Sequence, residues 1–270
     1  VSGVSADAHP SPVRTEPVAE RTAPDARTLI SRMAAAEKEN RKKAAFFVYR
    51  EDIRSTETLP DGHMVREIKA TYEVSILEGE PYHRRISFSG RPLSPEDEAA
   101  EEKNYREVEN YRRNTPIEER RKRFFAAEES RFKIDSALVV EHHDATLLGE
   151  ETIGGRRCWI VETKPRKGTP KPKRRSQWSL SQRIRFWIDQ ESYFPIRVVA
   201  EQLYDFDNAR KGTLTEYTQR YEDGVWLLHR IDSQGKVKEN GQTIAYRTEQ
   251  DYSDYRRFSA SSTLMFAPKE

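Results

Sequence analysis

The chain has 270 residues, enough for one large β domain or two small ones, and its near-equal hydrophobic and charged fractions, 35% and 34%, require solvated helices or loops around any compact core. An aromatic content of 10% argues against global disorder. A net charge of +2 gives no overall field for nucleic acid, Cys158 as the only cysteine excludes an intramolecular disulfide, and no apolar run is long enough to cross a bilayer as a helix.

Residues 1–23, with Pro10, Pro12 and Pro17 among Ala, Ser, Glu and Arg, read as a flexible tether; an ordinary frayed terminus is the alternative. The polar start is consistent with removal of a signal segment. A helix is expected from about Asp25, because Ala26, Leu29, Ile30 and Met33 recur at helical spacing. The charged stretch 37–43 ends it. Strands are expected over 45–54 and 67–77, with a turn at Asp61-Gly62. In the second, Ile68, Ala70, Tyr72, Val74 and Ile76 alternate with Glu67, Lys69, Thr71, Glu73 and Ser75, so one face meets a core or cavity. Gly79-Glu80-Pro81 leads into a strand with Ile86 and Phe88 on one face.

Residues 94–131 break the strand pattern. Ser94-Pro95 and Thr115-Pro116-Ile117-Glu118 are helix starts, and the thin apolar content of the two helices places them on a surface. Strands are then expected near 134–141, 145–153, 156–164, 182–189, 195–204, 212–221, 225–234 and 242–252, with Arg256 to Phe266 able to add another. Turn signals at Gly154-Gly155, Asp223-Gly224 and Asn240-Gly241 favour an antiparallel meander.

Candidate chemistry is sparse. His142-His143-Asp144, with Glu141, is the densest group of metal-ligand types, but neighbours on a strand point to opposite faces, so no metal site is expected. Asp205 and Asp207 sit among turn-forming residues and read as a hairpin turn. Cys158 reads as a small buried hydrophobe. The basic run Lys164–Arg175, followed by Trp178, can rest on a membrane surface; a solvated loop is the commoner use of such a run. Ile184, Phe186 and Ile188 share one strand face, and the same alternation serves a filled core or a hollow barrel.

Two segments carry a resemblance. Gly154-Gly155-Arg156-Arg157-Cys158-Trp159-Ile160-Val161-Glu162 is followed by Phe186-Trp187-Ile188-Asp189 and then Phe194-Pro195-Ile196-Arg197-Val198. This succession resembles the outer-membrane lipoprotein-sorting, or lipoprotein-carrier, superfamily of bacteria, with Gly155, Trp159, Trp187, Ile188, Asp189, Pro195 and Arg197 as matching positions. The resemblance implies a mainly β, antiparallel half-open barrel in residues 24–270, with an N-terminal helix and a helical hairpin, 94–131, covering the concave face. It implies a non-enzymatic binder of an acyl chain, lipid or lipoprotein, with no catalytic residue, no cofactor and no nucleic-acid partner. The expected location is the periplasm or the outer membrane, and the expected state a monomer. Tyr72, Val74, Phe88, Ile184, Phe186 and Ile188 become candidate cavity-lining residues. Tyr105, Val108, Tyr111, Phe124 and Phe125 become candidate lid residues. A protein-interaction or stress-sensing module of the envelope on the same scaffold, with the charged helices as its surface, is the alternative.

Overall fold

The computed structural model describes residues 24–45, 47–120, 122–123, 134–207, 209–239 and 242–258. The expected tether (1–23), Phe124, Phe125 and the tail beyond 258 lie outside the described residues.

Helix α1 spans Ala26–Ala44. The Asp25 carboxylate accepts the Thr28 N–H at 3.0 Å, which satisfies one of the free donors of the first turn. Arg41, Lys42 and Lys43 stand at the opposite end, where the helix dipole favours cations. Leu29, Ile30 and Met33 are buried on one side.

The strands are β1 (Phe47–Thr58), β2 (Met64–Leu77), β3 (Glu80–Phe88), β4 (Arg91–Pro92), β5 (His143–Ile153), β6 (Arg156–Pro165), β7 (Gln182–Asp189), β8 (Pro195–Gln202), β9 (Leu214–Glu222), β10 (Val225–Glu239) and β11 (Gln242–Arg257). They form one antiparallel sheet in the order β4-β3-β2-β1-β11-β10-β9-β8-β7-β6-β5. β4 and β5 are its two edges, so the sheet stays open. The central join is β1 with β11, which pairs Ile53 with Gln250 and Phe47 with Arg257. Helix α2 (Pro95–Asn114) is capped by Ser94, as its sequence predicts, and Thr115 ends it by donating its hydroxyl to the Tyr111 carbonyl. The fold is thus the open antiparallel sheet with an N-terminal helix and inserted helices that the resemblance implies.

One expected strand is a helix. The stretch expected as a strand over 134–141 forms α3, Ser136–His142. Its β-branched Val139 and Val140 suggest a strand, but the Asp135 carboxylate caps the N–H groups of Ala137 and Leu138, and Val139 packs beside α1.

The main core lies where α1 and α3 meet the sheet. Leu29, Ile30 and Met33 of α1 and Val139 of α3 pack on Trp159, Val161, Ile184, Phe186, Ile188, Val198 and Ala200 of β6 to β8. The other face carries a smaller apolar group, Cys158, Trp187, Phe194, Ile196 and Trp226, and then changes character. Arg185 pairs with Glu162, Arg183 with Glu201, Arg197 with Glu216, Arg247 with Asp232, Arg230 with Asp251, and Arg54 with Glu67. This balanced charge explains how so charged a chain keeps a sheet face in water.

Candidate functional site

Register places a continuous row of cross-strand neighbours on the helix-covered face. It runs Leu147, Val161, Phe186, Val198, Tyr217, Ile231, Gln250, Ile53, Ala70 and Phe88. Alternation puts Ile184 and Ile188 on this face, and Tyr72 and Val74 as well. The candidate lining residues therefore share one face but not one place. Ile184, Phe186 and Ile188 stand on β7, separated by five intervening strands from Tyr72 and Val74 on β2, and Phe88 lies on β3 beyond them.

Their surroundings differ accordingly. Ile184, Phe186 and Ile188 are fully buried beneath α1 and α3 and form part of the packed core. Val74 is buried, Tyr72 half-buried, and Phe88 is 47% exposed with the Arg85 guanidinium 5.3 Å above its ring. Between the two groups, Ile231, Ile53 and Ala70 continue the row outside the three packed apolar clusters, with Gln250 interrupting it between Ile231 and Ile53.

Toward β1 and β11 the same face holds a polar group that sequence periodicity does not reveal. Glu51 is buried; its carboxylate accepts the Tyr252 hydroxyl at 3.1 Å and lies 3.3 Å from His83 Nδ1. Burial, with Glu51 and Tyr49 nearby, pushes the Tyr252 hydroxyl far above its ordinary range, so it stays a donor. Tyr49 leans on both Tyr252 and Tyr255, with centroids 5.8 and 5.3 Å away. Cross-strand pairing assembles this group from residues about 200 positions apart in sequence.

Helix α2 lies along β3. Tyr105 meets Tyr82 edge-on at 5.3 Å, and the Tyr82 hydroxyl donates to Glu101 at 2.8 Å. Tyr82 pairs with Ser75 and Arg84 with Glu73, opposite to the side of β2 that carries Tyr72 and Val74. Tyr105 thus holds α2 to that outer side rather than above the lining candidates, and the cover over the β7 residues is α1 with α3. The reason lies in composition: α1 has an apolar stripe to bury, whereas α2 buries none of its residues. Val108 is half-buried, and Tyr111 is exposed with Arg123 over its ring. Two arginines clasp α2 in place. Arg112 donates to the carbonyls of Leu77, Glu80 and Pro81, and buried Arg120 donates to those of Arg112 and Glu78 and pairs with Glu80.

The remaining candidates have structural surroundings. His143 is buried, with Nε2 3.1 Å from the Ser179 carbonyl and Nδ1 3.2 Å from Thr163 Oγ1. Among the described residues no three His, Cys, Asp or Glu side chains are grouped to hold a metal. Burial pushes the Cys158 thiol up to about 11, so it is a protonated, buried side chain. Asp205 accepts from Arg210 and from the Lys211 N–H, inside a tight turn closed by the Phe206–Ala209 bridge. Trp178, which the sequence allows to rest on a membrane surface beside the basic run, is buried, and its indole N–H donates to Gln202 Oε1 at 2.6 Å. The 3₁₀ turn Arg175–Ser181 folds it inward, because an indole on a short connection gains more from burial and this bond than from water. No helix among the described residues is long and apolar enough to cross a membrane.

A family model described as an uncharacterized protein matches residues 103–261, more than half of the chain. The chain belongs to this family. No curated protein matches. Solved structures that match include a DUF1329 family protein from Desulfovibrio piger, at 13% identity and a TM-score of 0.36, over 89% of this chain and 96% of that one. A LolA superfamily protein from Nitrosomonas europaea matches at 13% identity and a TM-score of 0.34, over 87% and 94% of the two chains. A domain from Vibrio parahaemolyticus, provisionally described as an outer membrane lipoprotein-sorting protein, matches at 14% identity and a TM-score of 0.33, over 82% and 91%.

Proposed function

We propose that this protein is a non-enzymatic binder of an acyl chain, lipid or lipid-anchored protein in the bacterial cell envelope. The observation that carries the reading is the apolar row on the helix-covered face. It runs past the part that α1 and α3 fill, through Ile231 and, beyond the single polar Gln250, through Ile53 and Ala70 to Phe88. A chain laid along this row gains about 0.8 kcal/mol per buried methylene. The protein acts in the periplasm or at the outer membrane as a monomer, and loading or delivery brings it against a membrane surface. Residues 24–270 act as one carrier-like domain, with Tyr72, Val74 and Phe88 nearest the uncovered part of the row. Tyr105, Val108 and Tyr111 steady α2 on the outer side of the sheet instead of covering the row.

Titration with a fluorescent long-chain fatty acid, and mass spectrometry of lipid retained on the purified protein, test this. Saturable binding is expected, weakened at least tenfold by Ile231→Trp, which sets a bulky ring on the row while keeping an apolar surface. Ile53→Trp is the second variant, should the first fail to fold. No binding by the native protein, or unchanged binding in a folded variant, overturns the reading.

The interaction module is the second reading. It is favoured by the outer side of α2, where Glu102, Lys103, Arg106, Glu107 and Asn110 line a shallow, open groove. A folded protein that takes up no acyl probe, but captures a defined envelope protein through this helix, supports it.

A further inference from the structure

Because the strands are antiparallel, their connections collect at two ends of the sheet. One end carries Gly154-Gly155, residues 190–194, Asp223-Gly224 and Glu78-Gly79. The other carries residues 166–181, the turn 203–213, the β10–β11 connection and the hairpin 59–63. The helix-covered face becomes polar toward this second end, where Thr163, Gln182, Gln202, Thr213, Thr215 and Ser233 are buried.

The segment 164–175 at this end contains seven lysines and arginines and no acidic residue. It is a built loop. Arg166 donates to the carbonyls of His143 and Val140, its N–H donates to the His142 carbonyl at 2.9 Å, and Thr169 Oγ1 donates to the same carbonyl. Arg166 so neutralises the C-terminal end of α3. Pro172 is buried, the Lys173 N–H donates to Gln177 Oε1, and Arg175 pairs with Asp207. Between these anchors Lys167, Lys171, Lys173 and Arg174 are exposed. Lys171 lies 5.7 Å over the Tyr204 ring, and the other three make no ion pair among the described residues. On the sheet's outer face, by contrast, arginines are matched one by one with carboxylates. At the same end of the sheet, beyond the hairpin, Met64 and Val65 are 58% and 51% exposed.

We propose that loop 166–175 is a docking surface for an anionic bilayer, its four projecting cations contacting the phosphates of lipid head groups. The surface needs both parts of this arrangement. Anchored ends hold the cations on one side, which lowers the entropy lost on contact, and unmatched charge leaves them available. It deepens the reading above, on which it rests for the reason a lipid binder should meet a bilayer. The polar end of the cargo face then opens beside the head groups.

Vesicle flotation of the full chain tests this, with vesicles of phosphatidylglycerol and phosphatidylcholine in a one-to-two ratio against phosphatidylcholine alone. Binding to the anionic vesicles only is expected, and it should weaken as salt rises. Each cation near an anionic surface strengthens partitioning about fivefold. Replacing Lys167, Lys171, Lys173 and Arg174 together by Gln should therefore weaken flotation on the order of several hundredfold. Its melting temperature and its uptake of the fluorescent fatty acid should stay unchanged. The control changes net charge equally by replacing Lys38, Lys43, Arg256 and Arg257 with Gln, all exposed and away from this loop; it should keep most of its binding. Equal losses in both variants, or no flotation of the native chain, overturn the proposal. Binding of soluble glycerophosphate without flotation overturns it too, and assigns the loop to a free phosphate ligand. Loss of fatty-acid uptake alone, with flotation intact, counts against the cargo reading and leaves the docking surface standing.

Discussion

His143 is held as a neutral imidazole inside the protein. Burial lowers its pKa to about 4; the Ser179 carbonyl opposes this, His142 and Arg166 reinforce it, and Asp144 opposes it again. The unfolded chain takes up this proton near pH 6.5. Stability from His143 is therefore complete above pH 6.5 and is lost as pH falls from 6.5 to 4, by up to roughly 3 kcal/mol. Urea unfolding across this window should show the decline, and His143→Gln, which keeps a donor for Ser179, should flatten it. An unchanged slope in the variant would trace acid sensitivity to other groups. Asp189 has a matching structural role. Its buried carboxylate accepts the Ser192 N–H at 2.9 Å, the Ser192 hydroxyl at 2.6 Å and the Arg156 guanidinium at 3.3 Å, closing the turn between β7 and β8. It belongs to the motif that prompted the family resemblance, so that part of the motif maintains the turn itself.

At the scale of elements, α2 is attached by polar contacts. Its apolar side chains are too few to hold it by burial, and the arginine clasp on the β2–β3 turn supplies the attachment. Arg120 is 4% exposed and bonded to two carbonyls and to Glu80. Arg120→Met removes the donor to those carbonyls and the nearer of Glu80's two arginine partners, Arg112 remaining 3.8 Å away, at a cost of about 3 kcal/mol. Amide exchange should accelerate through residues 95–114 while β6 to β8 stay protected; uniform acceleration would show instead that α2 is integral to global stability. The elements legible in the sequence were those with long periodic signals or clear punctuation: α1, α2 and the alternating strands from Met64 to Leu77 and from Gln182 to Asp189. α3 was not legible because seven residues hold too few turns for periodicity, and Val139 and Val140 suit either state. Alternation groups Ile184, Phe186 and Ile188 on one face of β7 and Tyr72 and Val74 on one face of β2, but their separation across the sheet depends on pairing between distant strands. The Glu51, His83 and Tyr252 group depends on it as well. The clasp was missed because charged residues in a polar helix ordinarily face water.

The last strand among the described residues, β11, stands in the middle of the sheet between β10 and β1. Until β11 arrives, β1 to β4 and β5 to β10 are two separate ribbons, each with a bare inner edge that can recruit other chains. Loss of an outer strand would shorten the sheet, whereas loss of β11 divides it. A chain ending at Glu239 should be insoluble or degraded when expressed, even though it retains the principal core. A soluble, cooperatively melting fragment would show that the β5–β10 ribbon folds alone. Contacts between Phe47 and Arg257 also close a very long loop, so refolding should be slow for the chain length. A newly made copy would spend that interval with two unpaired β edges, open to pairing with other chains until β11 is in place.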